Sequence, residues 1–265
     1  MAEILTIKLK SWSSLGLFSK VARRLMGTIT RVSTKDNVVA LTFDDGPHPD
    51  STPQLLDILK KHNARATFFM LGDLAQRYPW LVRHVAQAGH AIGNHSWDHP
   101  SFPLISSRER RAQIRSCQKA LAPYGSMIFR PPYGDQTFAS RLDALFTRQQ
   151  VVTWSVISKD WLDQGTSWFV DYLTKKIMPG SIVLFHDTIY QALEDHYRDR
   201  EPVFQAVDML LEQLGTRFNF VTVPELCRYG RPQKQLWYKT SDLDWLNRLK
   251  PQVGQARRNS SRKFH

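Results

Sequence analysis

From residue 37 onward the chain alternates apolar runs of strand length with amphipathic stretches of helix length, and this alternation limits the possible folds more than any other feature. Val38–Phe43, Ala66–Met70, His90–Gly93, Met127–Phe129, Val151–Val156, Ser181–Phe185 and Phe218–Thr222 read as seven strands. Between them, Thr52–His62 carries Leu55, Leu56, Ile58 and Leu59 at helical spacing. Pro79 suits the first turn of a helix that Gly89 ends. Ser106 and Glu109 have capping-box spacing ahead of a helix reaching about Leu121. Thr166–Ile177, stopped by Pro179-Gly180, and Glu201–Leu214 complete the helical set. Strands alternating with helices predict a parallel α/β sheet. Periodicity leaves open whether that sheet closes into a barrel.

Polar residues follow the C-terminal ends of many of these strands. Asp44 and Asp45 follow the first, His95 and His99 the third, Arg130 the fourth, Asp160 the fifth, and His186 and Asp187 the sixth. In parallel sheets and barrels that edge carries the active site. Two adjacent carboxylates after an apolar strand cannot both be buried cheaply. They mark a metal site, a catalytic dyad or a solvated loop start. His95 and His99 are four apart, which on a helical turn places both imidazoles on one face. With one carboxylate they would form an open metal site of hydrolytic type. His48 is a further ligand or an exposed loop residue; His62, His84 and His90 read as structural, and Asp98 as a surface group. Arg130-Pro131-Pro132-Tyr133-Gly134 is a stiff loop, either aiming a guanidinium at a carboxylate or simply turning with a surface Arg. His186 reads as a general acid or as a core histidine capped by Asp187.

Composition limits the rest. The 265 residues are 42% hydrophobic with 8 Trp, 8 Tyr and 14 Phe, enough for one large core. The net charge of +12 lies in the flanks: residues 1–36 hold seven Lys/Arg against two Asp/Glu, and residues 228–265 hold ten against two. The centre, 37–227, is near neutral, which argues against nucleic acid as a partner. The flanks reflect either solubility and tail composition or peripheral contact with a membrane or an anionic cell-wall polymer, the latter with residues 11–32 as a basic amphipathic helix. Arg257, Arg258, Arg262 and Lys263 lie in a polar tail that reads as disordered. No clear signal peptide or transmembrane run is present, so a cytoplasmic or peripherally envelope-associated protein is expected. Cys117 and Cys227 allow one bridge at most.

Taken together, the motifs resemble the NodB-type polysaccharide deacetylases, carbohydrate esterase family four. Five blocks match in order: Thr42-Phe43-Asp44-Asp45-Gly46-Pro47, His95-Ser96-Trp97-Asp98-His99-Pro100, Arg130-Pro131-Pro132-Tyr133-Gly134, Asp160-Trp161 and Leu184-Phe185-His186-Asp187. Ala66-Thr67-Phe68-Phe69 matches a structural block. The resemblance implies a distorted seven-stranded (β/α) barrel over residues 37–227, flanked by basic extensions 1–36 and 228–265. It implies a divalent metal, most often zinc with cobalt or another ion possible, on Asp45, His95 and His99. Asp44 would be the general base, held by Arg130. The Tyr133 backbone N–H would stabilise the oxyanion. His186 would protonate the departing amine, tuned by Asp160. Trp161 and Leu184, with Pro132, would bind the acetyl group of an acetylated glycan. Many family members carry an acid where this chain has Ile157. A non-sugar amide hydrolase, or a non-catalytic glycan- or surface-binding protein, are the alternatives to deacetylation of N-acetylglucosamine units.

Overall fold

A computed structural model describes residues 23–162 and 165–251. Strands and helices follow in the order β1 (Thr28–Ser33), β2 (Val38–Asp44), α1 (Ser51–Lys61), β3 (Ala66–Met70), α2 (Gly72–Arg77), α3 (Pro79–Gln87) and β4 (Ala91–Asn94). Then come α4 (Ser107–Ala120), β5 (Gly125–Phe129), α5 (Phe138–Phe146), β6 (Gln150–Val151), β7 (Val156–Ile157), α6 (Thr166–Lys176) and β8 (Ile182–His186). The last are β9 (Gln191–Ala192), α7 (Glu201–Leu214), β10 (Asn219–Phe220), α8 (Val223–Leu226), β11 (Arg231–Gln235), α9 (Leu243–Arg248) and β12 (Lys250–Pro251).

The main sheet runs β6-β5-β4-β3-β2-β8-β7, and every pairing in it is parallel. β10 adds a short parallel pairing to the start of β2. This is the curled α/β sheet that the alternation and the family resemblance lead one to expect. β2 is buried along its whole length, as a strand covered on both faces should be. Phe43 on β2 sits between Phe68 on β3 and Phe185 on β8, with ring centroids 5.4 and 5.6 Å away. That aromatic row locks the three central strands together. Outside it, α7 turns Val203, Val207, Leu210 and Leu214 inward at three- and four-residue spacing. α1 does the same with Leu55, Leu56 and Leu59.

The expected strand Val151–Val156 divides in two. Its first part, β6, pairs with β5, and the end of the segment, β7, pairs with β8. One short segment thus touches both edges of the curled sheet and forms its seam. β1 backs the seam from outside: Thr153 N–H donates to Ile29 O at 2.8 Å and Val32 N–H to Gly180 O at 2.9 Å. Its Val32 is fully buried, and it pairs antiparallel with β11. Residues 28–32, read from sequence as the end of an amphipathic helix, are strand, held by their pairing with β11, and a register shift between Ile29 and Arg31 leaves both Ile29 and Val32 buried. Residues 23–26 are helical, while residues 11–22 of that expected helix and the basic tail with Arg257, Arg258, Arg262 and Lys263 lie outside the described residues. Among the described residues no helix is long and apolar enough to cross a membrane. Cys117 and Cys227 are both free thiols, so the bridge allowed by the sequence is not formed.

The capping box is present: Glu109 N–H donates to Ser106 Oγ at 3.3 Å, and Ser106 N–H to Glu109 Oε2 at 2.8 Å. Replacing Ser106 with Ala should cost about 1 kcal/mol in urea unfolding without altering the distant cavity. An unchanged midpoint would show that α4 does not depend on this cap.

Candidate active site

β2 delivers Asp44 as its last residue, and the backbone then enters the left-handed region at Asp45 (φ 76°). That turn sends the two carboxylates in different directions. Asp44 Oδ1 accepts from Arg130 Nη1 at 2.7 Å. Asp45 Oδ1 faces His95 Nε2 and His99 Nε2, each 3.3 Å away. Its other oxygen, Oδ2, accepts from the Tyr190 N–H at 3.0 Å. Ser96, His99 and Tyr133 also have left-handed backbones, at φ 72°, 66° and 58°. Conformations of this kind persist where the surrounding structure imposes them, often at functional sites.

His95 and His99 do not share a helix face, as their spacing predicted. They sit in a loop after β4 that bends at Ser96 and His99. Asn94 Oδ1 accepts from Ser96 N–H at 3.0 Å, and Ser96 Oγ from His99 N–H at 3.2 Å. These side-chain bonds replace the helical ladder and still bring the rings to 5.0 Å. His95 Nδ1 donates to the Arg130 carbonyl at 2.7 Å, which leaves the lone pair on Nε2. Burial lowers the His99 pKa to about 4, against the pull of Asp45, so its ring is neutral at neutral pH. Burial alone would raise the pKa of Asp45, but His99, His95 and His186 hold it below the usual carboxylate range.

The three ligand atoms lie within 4.8 Å of one another, and all three residues are buried. Asp45 Oδ1 has no hydrogen-bond donor although it is buried. A carboxylate oxygen left without a donor beside two imidazole nitrogens fits a cation.

Arg130 is fully buried. It also donates to Thr42 Oγ1 and Thr153 O, both at 2.8 Å, and lies 4.0 Å over the Phe69 ring. Burial lowers its pKa while Asp44 opposes the shift. On the other side of the cavity, at the end of β8, His186 Nδ1 bonds Asp160 Oδ1 at 2.9 Å. Burial disfavours the imidazolium, yet Asp160, then Asp45 and Asp44, raise the His186 pKa to about 9. Asp160 is itself lowered to about 2 against its burial, by His186 and Arg200. Arg200, just ahead of α7, donates to the Asp160 side chain, to Asp160 O at 2.8 Å and to His186 O at 3.0 Å. Nothing in the sequence motifs pointed to Arg200, which reaches Asp160 across 40 residues.

A cavity of about 200 Å³ connects these groups, lined by Asp44, Asp45, His95, His99 and His186. Trp161 and Leu184 line it as well, and the Trp161 ring stands edge-on to His186 at 5.6 Å. Ile157 lines the same wall. Pro132 is buried inside the loop after β5 and is not on the cavity wall. His48 lies away from the cluster beside Asp50, His62 bonds Asp208, and His90 accepts from Ala66 N–H. Asp98 is tied to Gln113 rather than free at the surface.

The family model described as polysaccharide deacetylase matches residues 31–150. A peptidoglycan-N-acetylglucosamine deacetylase of Bacillus cereus is 33% identical over 84% of this chain and 78% of its own length. The chain belongs to the polysaccharide deacetylase family. A chitooligosaccharide deacetylase of Azorhizobium caulinodans is 36% identical over 62% of this chain and 80% of its own. Among solved structures, the peptidoglycan deacetylase PdaC from Bacillus subtilis superposes with a TM-score of 0.65 at 33% identity. It covers 75% of this chain and 93% of that one.

Replacing Arg130 with Met keeps the volume but strands Asp44 as a buried charge. The expected cost is about 3–5 kcal/mol in denaturant unfolding at pH 7. A variant as stable as the parent would show that the ion pair is not what holds Asp44.

Proposed function

We propose that this polysaccharide deacetylase family member removes N-acetyl groups from N-acetylglucosamine units of a glycan. One observation carries the reading: a three-residue metal site, an arginine-held carboxylate and a histidine with a raised pKa face one cavity. Amide hydrolysis needs an activated water, stabilisation of a tetrahedral oxyanion and a proton for a poor leaving group. A divalent ion on Asp45, His95 and His99, with zinc or cobalt suiting two imidazoles and a carboxylate, would supply Lewis acidity toward water and carbonyl.

The chain's own groups do the rest. Asp44, oriented by Arg130 and spared from ligation by the turn at Asp45, takes the proton of the attacking water. Tyr133, in its left-handed turn with its ring 4.5 Å from His99, offers its backbone N–H to the developing oxyanion. His186 keeps its Nδ1 on Asp160, so Nε2 carries the proton that goes to the leaving amine. Trp161, Leu184 and Ile157 form an apolar wall that suits the methyl of an acetyl group. The names of the relatives support peptidoglycan or chitin-type oligosaccharides as the glycan class.

The reading is tested by adding zinc or cobalt to the purified protein and measuring acetate release from N-acetylglucosamine oligomers and cell-wall glycan. Release is expected, with Asp44→Asn reducing it at least ~100-fold. Equal release by both proteins, or none from any acetylated glycan, would sink the proposal.

The pH dependence follows from His186. Its folded pKa lies above the value near 6.5 of a free histidine. The proton is thus held below pH 9 and lost above it, and the associated stability is complete below about pH 6.5 and lost as pH rises through 9. A cation on Asp45 weakens one source of the raising field, so the alkaline limb of kcat/KM should fall between pH 6.5 and 9. Asp160→Asn removes the largest raising partner and should move that limb to lower pH. A limb that stays in place would exclude His186 as the acid.

Peripheral attachment through the basic flanks is a second part of the proposal. Its test is deletion of residues 1–22, which spares β1. Release from membranes or cell-wall polymer is expected, and unchanged fractionation would count against it.

A further inference from the structure

The segment after Gly230 crosses the mouth of the cavity and is fastened at both rims. On one rim, after β5, Trp237 Nε1 donates to Gly134 O at 3.0 Å. Gln136 and Lys239 exchange backbone hydrogen bonds of 2.8 and 3.1 Å. Ser241 donates to buried Asp135 through its N–H at 3.0 Å and its Oγ at 2.9 Å. On the other rim, after β8, β12 pairs antiparallel with β9. There Arg198 donates to the carbonyls of Lys250 and Pro251 at 2.7 and 2.9 Å. Between the two anchors runs α9, whose Trp245 meets the Tyr133 ring edge-on at 5.5 Å. Trp245 and Leu249 both line the cavity.

The two rims are not neighbours. In the sheet, β4, β3 and β2 stand between β5 and β8. The segment is therefore a crossbar from one side of the curled sheet to the other. Beneath it the Tyr133 hydroxyl donates to the Gln191 side chain, a second link between the same rims. A glycan lying through a groove needs two open ends. Here one end is barred by backbone pairing and by two apolar side chains, while Trp154, Ile157 and Trp161 line the seam side of the cavity. Rejection of a longer ligand by a fixed obstacle gives selectivity without any added attraction.

We infer that residues 237–251 make the site one-ended, so that it takes short oligosaccharides or chain ends and turns away the interior of a long glycan, with Trp245 and Leu249 setting the limit. The inference rests on the deacetylase reading above.

The test compares acetate release from N-acetylglucosamine dimers, trimers, hexamers and longer polymer. Three zinc-loaded proteins are used: the full chain, a chain ended after Ser241, and the full-length double variant Trp245→Ala, Leu249→Ala. For the full chain, kcat/KM should fall roughly tenfold from trimer to hexamer, and both variants should flatten that profile by gaining on the hexamer. A full chain that handles hexamer as well as trimer overturns the inference. So does a variant that loses activity in parallel at every length, since that marks the crossbar as mere support. If no protein releases acetate from any oligomer, the deacetylase reading fails separately. The crossbar is then judged by calorimetric binding of the same oligomers to Asp44→Asn proteins with and without residues 242–265. Tighter hexamer binding after truncation supports it; unchanged binding, or none at any length, overturns it.

Discussion

The buried pair of Arg130 and Asp44 ties the chemistry of this protein to the closure of its fold. A carboxylate at the end of a fully buried central strand would cost several kcal/mol if left alone. Arg130 meets it at 2.7 Å, and its remaining donors go to Thr42 and to carbonyls of the segment between β6 and β7. That segment is the seam of the curled sheet. The guanidinium therefore joins the central strand to the seam, and its own carbonyl fixes the tautomer of His95. Removing the arginine would disturb Asp44, one imidazole and the closure together, which explains why such a costly group is kept in the interior.

The electrostatics on the two sides of the cavity are opposite because the neighbours differ, not because the residue types do. His99 and His186 are both buried histidines. His99 packs against Tyr133 and Tyr190 and shares Asp45 with a second imidazole, so burial prevails and the ring is neutral. His186 has Asp160 bonded directly to its ring, and the carboxylate prevails. Titratable groups driven apart in this way support the proposed acid and ligand roles within one site.

Much of this site was legible in the sequence because its members sit at the ends of strands whose apolar runs are easy to read. β3 and α7 match their expected ranges, since uninterrupted apolar or amphipathic periods leave little ambiguity. What escaped notice lacks such a period. β11 reads Arg-Pro-Gln-Lys-Gln and gains its place only by pairing with β1. β6 and β7 are two residues each, too short to distinguish from one strand across Val151–Val156. The loop holding His95 and His99 turns on left-handed backbone at Ser and His, which no residue preference announces. Arg200 acts through distance in space alone.

Ile157 stands where the family resemblance leads one to expect an acid, and Asp160 is nonetheless fully bonded. Asp160 receives Ser158 Oγ at 2.9 Å, the His186 N–H at 2.8 Å, the His186 ring and Arg200. Both of its oxygens are thus committed, and its charge is already met by a fixed guanidinium. A second carboxylate at 157 would face the cavity beside Leu184 and Trp161. With isoleucine there, the wall stays apolar, and among the described residues the only carboxylate bonded to the His186 ring is Asp160. The ring of His186 is then oriented by one defined hydrogen bond, and the proposed acetyl wall is set separately by shape.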